Sequence, residues 1–507
     1  MGKRRELTNI LAMLALGGTL GAVLMALLAP RTGQETRAQL KDRSLKLVNT
    51  FTAKRKKQSP DLNTKQVSNW GNYPSVAAKF HEFEDVESLR TLLSQVDHVI
   101  PRGNGRCYGD QALAPQIIST LKYNKFLSFD EQQGAIHCQS GVKLSEVLDV
   151  VVPRGWFLPV TPGTKLITVG GAIASDVHGK SQHKAGNFSD HVLELELMLG
   201  DGTIVTCAKE EKPDLFWTTC GGMGLTGVVL SAKLRLIPVE TAYFCQDSIR
   251  AENLDQMMDL FEQSEPWAYS VAWLDCLARG KGMGRGFIMR GDHAKVSELK
   301  TVVQRQNPLI LKPKLKLNVP IYFPGFVLNK FSMKAFNELL FHRHPAGMVQ
   351  TIEDYNAFFY PLDFVLNWNR IYGKRGFTQY QFILPKANSR AGLIKILDKI
   401  AESGIVPFLA VLKLYDRQNS YLPFAMKGYA LALDFPITDR LFGFLDELDE
   451  IVLAHGGRLY LTKDVRMNRQ MFQQSYPEAD RFINNIKSLN HGSKFRSLQS
   501  DRVGITS

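Results

Sequence analysis

Residues 161–187 combine residue types that can bind phosphate. The segment reads TPGTKLITVGGAIASDVHGKSQHKAGN, which mixes glycines with histidines and lysines: Gly163, Gly170, Gly171, Gly179, Gly186, His178, His183, Lys180 and Lys184. Glycine lets a backbone approach a ligand closely, so that successive N–H groups converge on a phosphate. The segment therefore predicts a dinucleotide cradle. A glycine-rich surface loop remains the alternative.

Two further glycine clusters favour the cradle. The first is RGNGRCYGD at residues 102–110, whose G-x-G-x-x-x-G spacing lies one residue from the Rossmann pattern, with no helical pattern after it. This spacing argues against a Rossmann fold. The second is LFWTTCGGMGLTGVV at residues 215–229, which predicts a short helix, a glycine turn and a strand. Three clusters predict several loops around one extended cofactor that contains a diphosphate.

In this order the motifs resemble a known family. The patterns R-G-x-G-R-x-Y-G-D, P-G-T-x-x-x-T-V-G-G-A-I-A-x-D-x-H-G-K and L-F-W-x-T-x-G-G-x-G-L-T-G resemble the FAD-binding domain of the p-cresol methylhydroxylase and vanillyl-alcohol oxidase superfamily. Within it, the chain is similar to the decaprenylphosphoryl-β-D-ribose oxidase family. The similarity extends from NWGNYPS, which begins at residue 69, to residue 496, and includes LYLTKDVR.

The resemblance implies FAD as the cofactor. The residues that it places around FAD are Arg102, Gly103, Asn104, Gly105, Arg106, Cys107, Tyr108, Gly109, Asp110, Gly163, Thr168, Val169, Gly170, Gly171, Ser175, His178, Gly179, Gly222, Gly227, Val229 and Tyr460.

The resemblance also implies a substrate pocket and a catalytic lysine, Lys463. The residues that it places in the pocket are Lys413, Gln379, Gln381, Tyr360 and Lys180. Oxidation of a secondary alcohol requires hydride transfer to flavin N5 and loss of the hydroxyl proton. Lys463 can orient the alcohol, stabilise charge on the reduced ring or accept the proton, and the sequence leaves these roles open. A lone lysine is most often a surface charge, so the assignment depends on its position in the motif.

Three positions depart from related enzymes. Arg106 occupies the place where related sugar-lactone oxidases tether their flavin through a histidine, so we expect FAD to be bound non-covalently. Ala432 replaces a cysteine of the mycobacterial enzymes, and Tyr360 replaces the histidine of their His-Pro-Leu-Asp motif. These changes leave the flavin site intact and leave the identity of the sugar and lipid open.

Mixed helix and strand signals predict an α+β fold around these motifs. Asp85 is a helix N-cap followed by apolar residues at helical spacing, and AIHCQSG and WFLPV predict strands with a helix between them. Residues 193–207 predict a hairpin that turns at residues 200–202. The resemblance implies a two-lobed FAD-binding domain at residues 66–240. It also implies a substrate domain on an antiparallel sheet at residues 241–458 and a C-terminal return to the FAD domain at residues 459–507.

The N-terminal segment predicts a membrane anchor. Residues 1–60 contain 12 Lys and Arg against 3 Asp and Glu, so most of the formal charge of +13 lies there, which favours a membrane surface over nucleic acid. Residues 9–29 are uncharged and long enough to span a bilayer, so we predict one transmembrane helix within residues 1–30. A signal peptide is the alternative, but Pro30 and the lack of an A-x-A site argue against it.

Residues 31–65 predict a basic amphipathic linker. The passage LLAPRTGQETRAQL resembles YtxH-like membrane segments. The positive-inside rule then predicts a single-pass protein of the bacterial inner membrane with its catalytic body in the cytoplasm. The six cysteines are far apart without C-x-x-C pairs, so we expect neither a metal site nor a disulfide framework.

Residues 311–336 alternate lysine with apolar residues and then become rich in Pro, Phe and Tyr. This pattern is typical of a basic, aromatic loop that receives a polyprenyl phosphate at the bilayer. An ordinary two-sided strand followed by a loop explains the alternation equally well.

The leading hypothesis is an FAD-dependent oxidoreductase that converts a secondary hydroxyl of a polyprenyl-phosphate-linked sugar to a ketone. A short-chain dehydrogenase/reductase would complete an epimerisation in cell-envelope polysaccharide synthesis, and a quinone or oxygen would reoxidise the flavin. The alternatives are an oxidase of a soluble aldonolactone or alditol and a non-catalytic membrane scaffold. No nucleic-acid partner is expected.

Overall fold

A computed structural model describes residues 64–490 and 493–506. Within these residues no helix is both long enough and apolar enough to cross a membrane. The predicted transmembrane helix, the YtxH-like passage and the basic linker up to residue 63 lie outside the described part of the chain. The described residues mix helices with largely antiparallel sheets, which confirms the α+β prediction.

The first sheet, at the start of the described residues, is mixed. Its outer pair of strands is antiparallel and its other pairs are parallel. The spatial order is β1 (Thr64–Ser68), β2 (Ser75–Glu82), β4 (Gln116–Ser119) and β3 (Ile100–Arg102). The glycine cluster at residues 102–110 begins at the end of β3, with no helix directly after it, as the spacing predicted.

The second sheet is antiparallel. Its order is β5 (Phe126–Asp130), β6 (Ala135–Gln139), β10 (Val228–Arg235), β8 (Val192–Met198) and β9 (Ile204–Cys207), and a short neighbouring pair joins β7 (Trp156–Phe157) to β11 (Ile237–Pro238). The predicted hairpin is confirmed as β8 and β9, which turn through Gly202 at φ +85°, a conformation that favours glycine. The helix predicted between AIHCQSG and WFLPV is also confirmed.

The largest sheet in the described part of the chain is antiparallel throughout. Its order is β16 (Met348–Asp354), β12 (Tyr243–Ala251), β14 (Gly286–His293), β13 (Tyr269–Leu274), β19 (Ala410–Tyr415), β20 (Gly428–Pro436), β18 (Phe377–Pro385) and β21 (Arg458–Leu459). Residues two apart on a strand point to the same face. The register therefore places alternate side chains of β18, β19 and β20 on one face, which forms a wall of the site.

The helices cover these sheets and connect them. They are α1 (Val86–Gln95), α2 (Leu144–Val151), α3 (Val169–Ala174), α4 (Gln182–Ala185), α5 (Pro213–Thr219), α6 (Leu254–Gln263), α7 (Val302–Gln306), α8 (Lys330–Arg343), α9 (Tyr355–Phe359), α10 (Lys386–Ser403), α11 (Leu441–Ala454), α12 (Arg469–Ser475), α13 (Ala479–Leu489) and α14 (Leu498–Arg502). The chain end returns to the first sheet, where Phe495 bridges to Val99 and the Leu498 N–H donates to the Leu113 carbonyl at 2.8 Å.

Residues 307–329 are mainly irregular. The alternation of lysine with apolar residues does not form the two-sided strand that was one of its two interpretations, because only β15 (Leu317–Asn318) is extended and paired, with β17 (Val365–Leu366). Two prolines, Pro313 and Pro320, bracket this short strand and cannot donate to a ladder.

Candidate active site

A cavity of about 390 Å³ lies between the largest sheet and the three glycine loops, which are, in chain order, the first at residues 102–110, the second at residues 161–187 and the third at residues 215–229. Most of the predicted site residues line it, although they come from distant parts of the chain. The predicted residues in its wall are Arg102, Gly103, Asn104, Gly105, Arg106, Cys107, Tyr108, Gly163, Thr168, Gly170, Gly171, Ser175, His178, Gly179, Lys180, Gly227, Val229, Gln379, Gln381, Lys413, Tyr460 and Lys463.

Close packing explains two of the glycines in this wall. A Cβ at Gly170 would lie 2.9 Å from the Ser140 Cβ, and a Cβ at Gly227 would lie 2.6 Å from the Met198 carbonyl oxygen. Larger residues would push these loops away from the sheet behind them. Asn104 joins two of the loops, because its side-chain amide donates to the Leu166 carbonyl at 2.7 Å.

Arg102 lines the cavity, but its guanidinium already donates hydrogen bonds to other protein groups. It donates to the Asn69 side chain, to the Ser68 carbonyl at 2.8 Å and to the Ala112 carbonyl at 3.3 Å. Arg102 therefore holds the first glycine loop against β1.

Gly109 and Asp110, which the resemblance places around FAD, do not line the cavity. The Asp110 carboxylate is buried and accepts from the Arg502 guanidinium at 2.6 and 3.2 Å. The Gly109 N–H donates to the Thr462 carbonyl at 3.1 Å, and a Cβ there would lie 2.5 Å from the Asp464 carbonyl oxygen. Gly109 joins the first glycine loop directly to the loop that carries Lys463, and Asp110 does so through Arg502, which also donates to Asp464 at 2.9 Å.

The structure also places Val169, Gly222 and Tyr360 outside the lining of the cavity. The Val169 side chain is fully buried in the core. A Cβ at Gly222 would lie 2.0 Å from the Thr218 carbonyl oxygen, so this glycine serves a tight turn. The Tyr360 hydroxyl is buried 2.5 Å from the Thr161 hydroxyl and supports the second glycine loop from behind.

Four buried polar atoms in the cavity wall have no hydrogen-bond partner within the described residues. They are Gln111 Oε1, Thr120 Oγ1, Ser140 Oγ and His178 Nδ1. Native proteins rarely leave buried polar atoms unpaired, so their concentration here indicates a polar ligand that completes them. A dinucleotide with ribityl hydroxyls, a diphosphate and polar ring edges fits this requirement. Of these four residues only His178 lies in a motif, although Gln111 directly follows RGNGRCYGD and Ser140 is the penultimate residue of AIHCQSG.

Lysines line the part of the cavity next to the largest sheet. The Lys463 Nζ lies 3.9 Å from the centroid of the Tyr108 ring, a cation–π distance. Burial lowers the pKa of Lys463 to about 8 and the pKa of Lys413 to about 8. Burial and the nearby charge of Lys413 lower the pKa of Lys180 to about 7. These amines lose their protons far more readily than exposed lysines do.

Asp434 was missed by the sequence analysis. It lines the cavity, is 1% exposed, and accepts from Gln379 Nε2 at 2.5 Å and from the Tyr372 hydroxyl at 3.1 Å. Burial raises its pKa to about 6, and its negative charge opposes the lowering of the Lys463 pKa. Its signal was a lone acid in the apolar strand ALALDFP, two residues after Ala432 and therefore on the same face.

His178 lies in an aromatic cage. Its ring centroid is 4.9 Å from that of Tyr415, 5.5 Å from that of Phe424 and 4.8 Å from that of Tyr460. Gln381 Nε2 lies 3.0 Å from His178 Nε2. Burial holds the pKa of His178 well below its usual value, so the ring is neutral. Because Tyr415 lies on β19, the cage connects the second glycine loop to the strand that carries Lys413.

The comparisons with known proteins agree with this geometry. A family model described as an FAD binding domain matches residues 74–208, which contain the first two glycine loops. Together with the oxidase described next, this match shows that the chain is an FAD-dependent oxidoreductase. A decaprenylphosphoryl-beta-D-ribose oxidase from Mycolicibacterium smegmatis is 35% identical over 454 residues, which cover 87% of this chain and 98% of the relative. The chain therefore belongs to the decaprenylphosphoryl-β-D-ribose oxidase family.

Two other relatives match less of the chain. An uncharacterised protein from Streptomyces coelicolor is 32% identical over 374 residues, which cover 72% of this chain and 100% of the relative. A D-arabinono-1,4-lactone oxidase from Yarrowia lipolytica is 23% identical over 215 residues, which cover 40% of this chain and 41% of that enzyme.

We predict that acid precipitation releases FAD from the protein. The Arg106 guanidinium lies 4.1 Å from the centroid of the Trp70 ring and is a poor nucleophile. Burial raises the pKa of the neighbouring Cys107 thiol to about 11, so the reactive thiolate is scarce at neutral pH. The measurement is the absorbance of the supernatant and pellet after trichloroacetic acid treatment. A yellow pellet would contradict a non-covalent site.

Proposed function

We propose that this protein oxidises a secondary hydroxyl of a polyprenyl-phosphate-linked sugar to a ketone, as the first half of an epimerisation in cell-envelope polysaccharide synthesis. The observation that carries the proposal is the set of half-buried lysines, Lys180, Lys413 and Lys463, that line the cavity closed by the glycine loops. Positive charge in a buried pocket suits an anionic substrate such as a sugar phosphodiester. The name of the Mycolicibacterium smegmatis relative supports the same substrate class.

Oxidation of the alcohol breaks a C–H bond and an O–H bond. FAD, when bound, supplies the hydride acceptor at N5 of its ring. Lys463 accepts the hydroxyl proton, because its lowered pKa makes a neutral amine accessible near physiological pH. The Tyr108 ring faces that amine. The backbone N–H of Lys463 donates to the Tyr460 carbonyl at 2.9 Å, which fixes the backbone of the LTKDVR loop.

The other polar residues of the wall bind and orient the sugar phosphate. In the proposal, Lys413 and Gln381 contact the sugar and its phosphate. Lys180 is held rigidly, because its amine donates to the Phe358 carbonyl and lies 4.2 Å from the Phe358 ring centroid. Ala432, in the same wall, leaves room where a larger side chain would narrow the pocket.

The proposal includes partners and a location. A short-chain dehydrogenase/reductase would reduce the ketone, and a quinone or oxygen would reoxidise the flavin. The basic, apolar N-terminal sequence supports attachment to the bacterial inner membrane as a single-pass protein, with the catalytic body on the cytoplasmic side.

The test is anaerobic bleaching of bound flavin by a panel of candidate substrates. The panel contains a polyprenylphosphoryl pentose, the same pentose phosphate without its lipid, an aldonolactone and an alditol. We expect the lipid-linked sugar to bleach the flavin fastest. Faster bleaching by the lactone or alditol would instead identify an oxidase of soluble sugars.

We predict that the anaerobic bleaching rate rises with pH, with a midpoint near the Lys463 pKa of about 8, and levels off above about pH 9. Below the Lys463 pKa of about 8 the amine is protonated and cannot accept the hydroxyl proton. Stopped-flow measurement of flavin absorbance across the pH range gives the midpoint. A rate that falls as pH rises through this range would contradict the role of the amine as proton acceptor.

Two variants should move this midpoint in opposite directions. Asp434→Asn removes a negative charge that favours the protonated Lys463 amine, so the midpoint should move to lower pH. Lys413→Met removes a positive charge that disfavours the protonated amine, so the midpoint should move to higher pH. Movement of both midpoints in one direction would show that another group controls the profile.

A further inference from the structure

Residues 302–331, the apolar basic segment, concentrate exposed hydrophobic side chains. Eight of the thirteen large hydrophobic residues that are exposed in the described part of the chain lie in these thirty positions: Val302, Val303, Ile310, Leu315, Ile321, Tyr322, Phe326 and Phe331. Leu315 is 79% exposed and Phe331 is 86% exposed. Isolated exposed apolar residues are normal on protein surfaces, but a concentration of this kind marks an interaction surface.

All the charged side chains of the segment are basic. It contains Arg305, Lys312, Lys314, Lys316 and Lys330 and no acidic residue. Lys314 forms an ion pair with Asp354 at 2.6 Å, and the Lys330 amine donates to the Ala401 carbonyl at 3.4 Å. Lys312 and Lys316 are exposed. Protruding aliphatic and aromatic side chains among lysines are typical of surfaces that enter the interface of an anionic bilayer. A protein partner would need a matching acidic and apolar face, whereas an anionic membrane offers negative charge and an apolar interior at every point of its surface.

The segment is attached to the wall of the cavity. The Val319 N–H donates to the Leu366 carbonyl at 3.0 Å, and the Phe323 N–H donates to the Arg370 carbonyl at 3.0 Å. Val319 and Phe323 also pack in one apolar cluster with Trp368, which lines the cavity. The exposed surface is therefore continuous with the substrate side of the site.

We propose that the apolar basic segment docks onto the anionic surface of the bilayer and brings the cavity to a substrate whose polyprenyl chain stays in the membrane. The purpose of the docking rests on the proposed function, but the docking itself does not. Leu315, Phe326 and Phe331 enter the interface, and the exposed lysines contact lipid phosphates. This contact is additional to the predicted N-terminal anchor, which holds the chain near the membrane without orienting the catalytic body.

Hydrogen–deuterium exchange of the full-length protein in nanodiscs tests the docking. Neutral phosphatidylcholine discs are compared with discs that contain about 30 mol per cent phosphatidylglycerol, since only the latter attract a basic surface. We expect amide exchange within residues 307–329 to slow by about fivefold or more in the anionic discs. The variant Leu315→Ser/Phe326→Ser/Phe331→Ser should lose this protection. The matched control is Phe126→Ser/Leu127→Ser, which removes exposed apolar residues from the second sheet and should keep it.

Three outcomes would overturn the docking. They are equal exchange in neutral and anionic discs, full protection in the triple variant, and protection in detergent that grows with protein concentration, which would indicate a second copy of the chain instead.

Flavin bleaching by the same sugar on a short, water-soluble prenyl phosphate separates the two proposals. The triple variant should bleach with this substrate as fast as the wild type. Failure of the wild type to bleach with both the short and the long lipid would refute the proposed function and leave the exchange result to decide the docking.

Discussion

Lys463→Ala is expected to slow anaerobic flavin bleaching by about 10²- to 10⁴-fold, the usual contribution of a positioned proton acceptor. FAD should remain bound, because the glycine loops are unchanged and the lysine contributes one side chain to a wall built from many residues. The loss should appear in the maximal rate, since proton removal belongs to the reaction step. The measurements are stopped-flow bleaching and the flavin content of the purified variant.

A second substitution separates the possible roles of Lys463. Lys463→Arg keeps a positive charge beside Tyr108 but supplies no base, because a guanidinium stays protonated at all accessible pH values. If the lysine accepts the proton, the arginine variant should be nearly as slow as the alanine variant. If it only stabilises negative charge, the arginine variant should keep most of the rate. Lys487→Ala, on the exposed face of α13, is the matched control and should behave as wild type. An alanine variant with bound FAD and an unchanged rate would remove Lys463 from the mechanism.

Arg502→Ala is expected to lower the free energy of unfolding by about 3–5 kcal/mol, the loss typical of breaking a buried ion pair on one side. The Arg502 side chain is 22% exposed, and its guanidinium pairs with Asp110 at 2.6 Å and with Asp464 at 2.9 Å. Both carboxylates are nearly buried, at 6% and 4% exposure of the side chain, so removal of the arginine leaves two unpaired buried charges. Thermal unfolding with bound FAD measures the effect.

The matched control for Arg502 is Arg481→Ala. Arg481 pairs with Asp214 at 3.2 Å, but the two side chains are 64% and 66% exposed, so the loss should stay below about 1 kcal/mol. Since Asp464 directly follows Lys463, the Arg502 variant should also lose part of its bleaching rate. Equal losses of unfolding free energy in the two variants would show that the buried ion pairs stabilise the fold no more than the exposed pair does.

Much of the fold could be predicted from the sequence, because many of its elements are specified by neighbouring residues. The N-cap at Asp85, the hairpin that turns at Gly202 and the short helix before the third glycine cluster depend on neighbouring residues only. The glycine loops could be predicted for the same reason, because glycine turns that bind phosphate are contiguous in sequence, and their resemblance to a known family implied FAD as the cofactor. The eight-stranded order of the largest sheet was not readable, because its neighbours are often far apart in the chain.

The sequence by itself determined the class of the protein: an α+β flavoprotein with three glycine loops and a lysine in LTKDVR. Only the tertiary structure decided which polar residues meet. It paired Asp110 with Arg502, 392 positions away, and it buried Tyr360 behind Thr161. It also brought Asp434 into the lysine wall and left residues 302–331 on the surface. The physical reason is that burial and ion pairing depend on contacts between distant segments, which a local pattern does not specify.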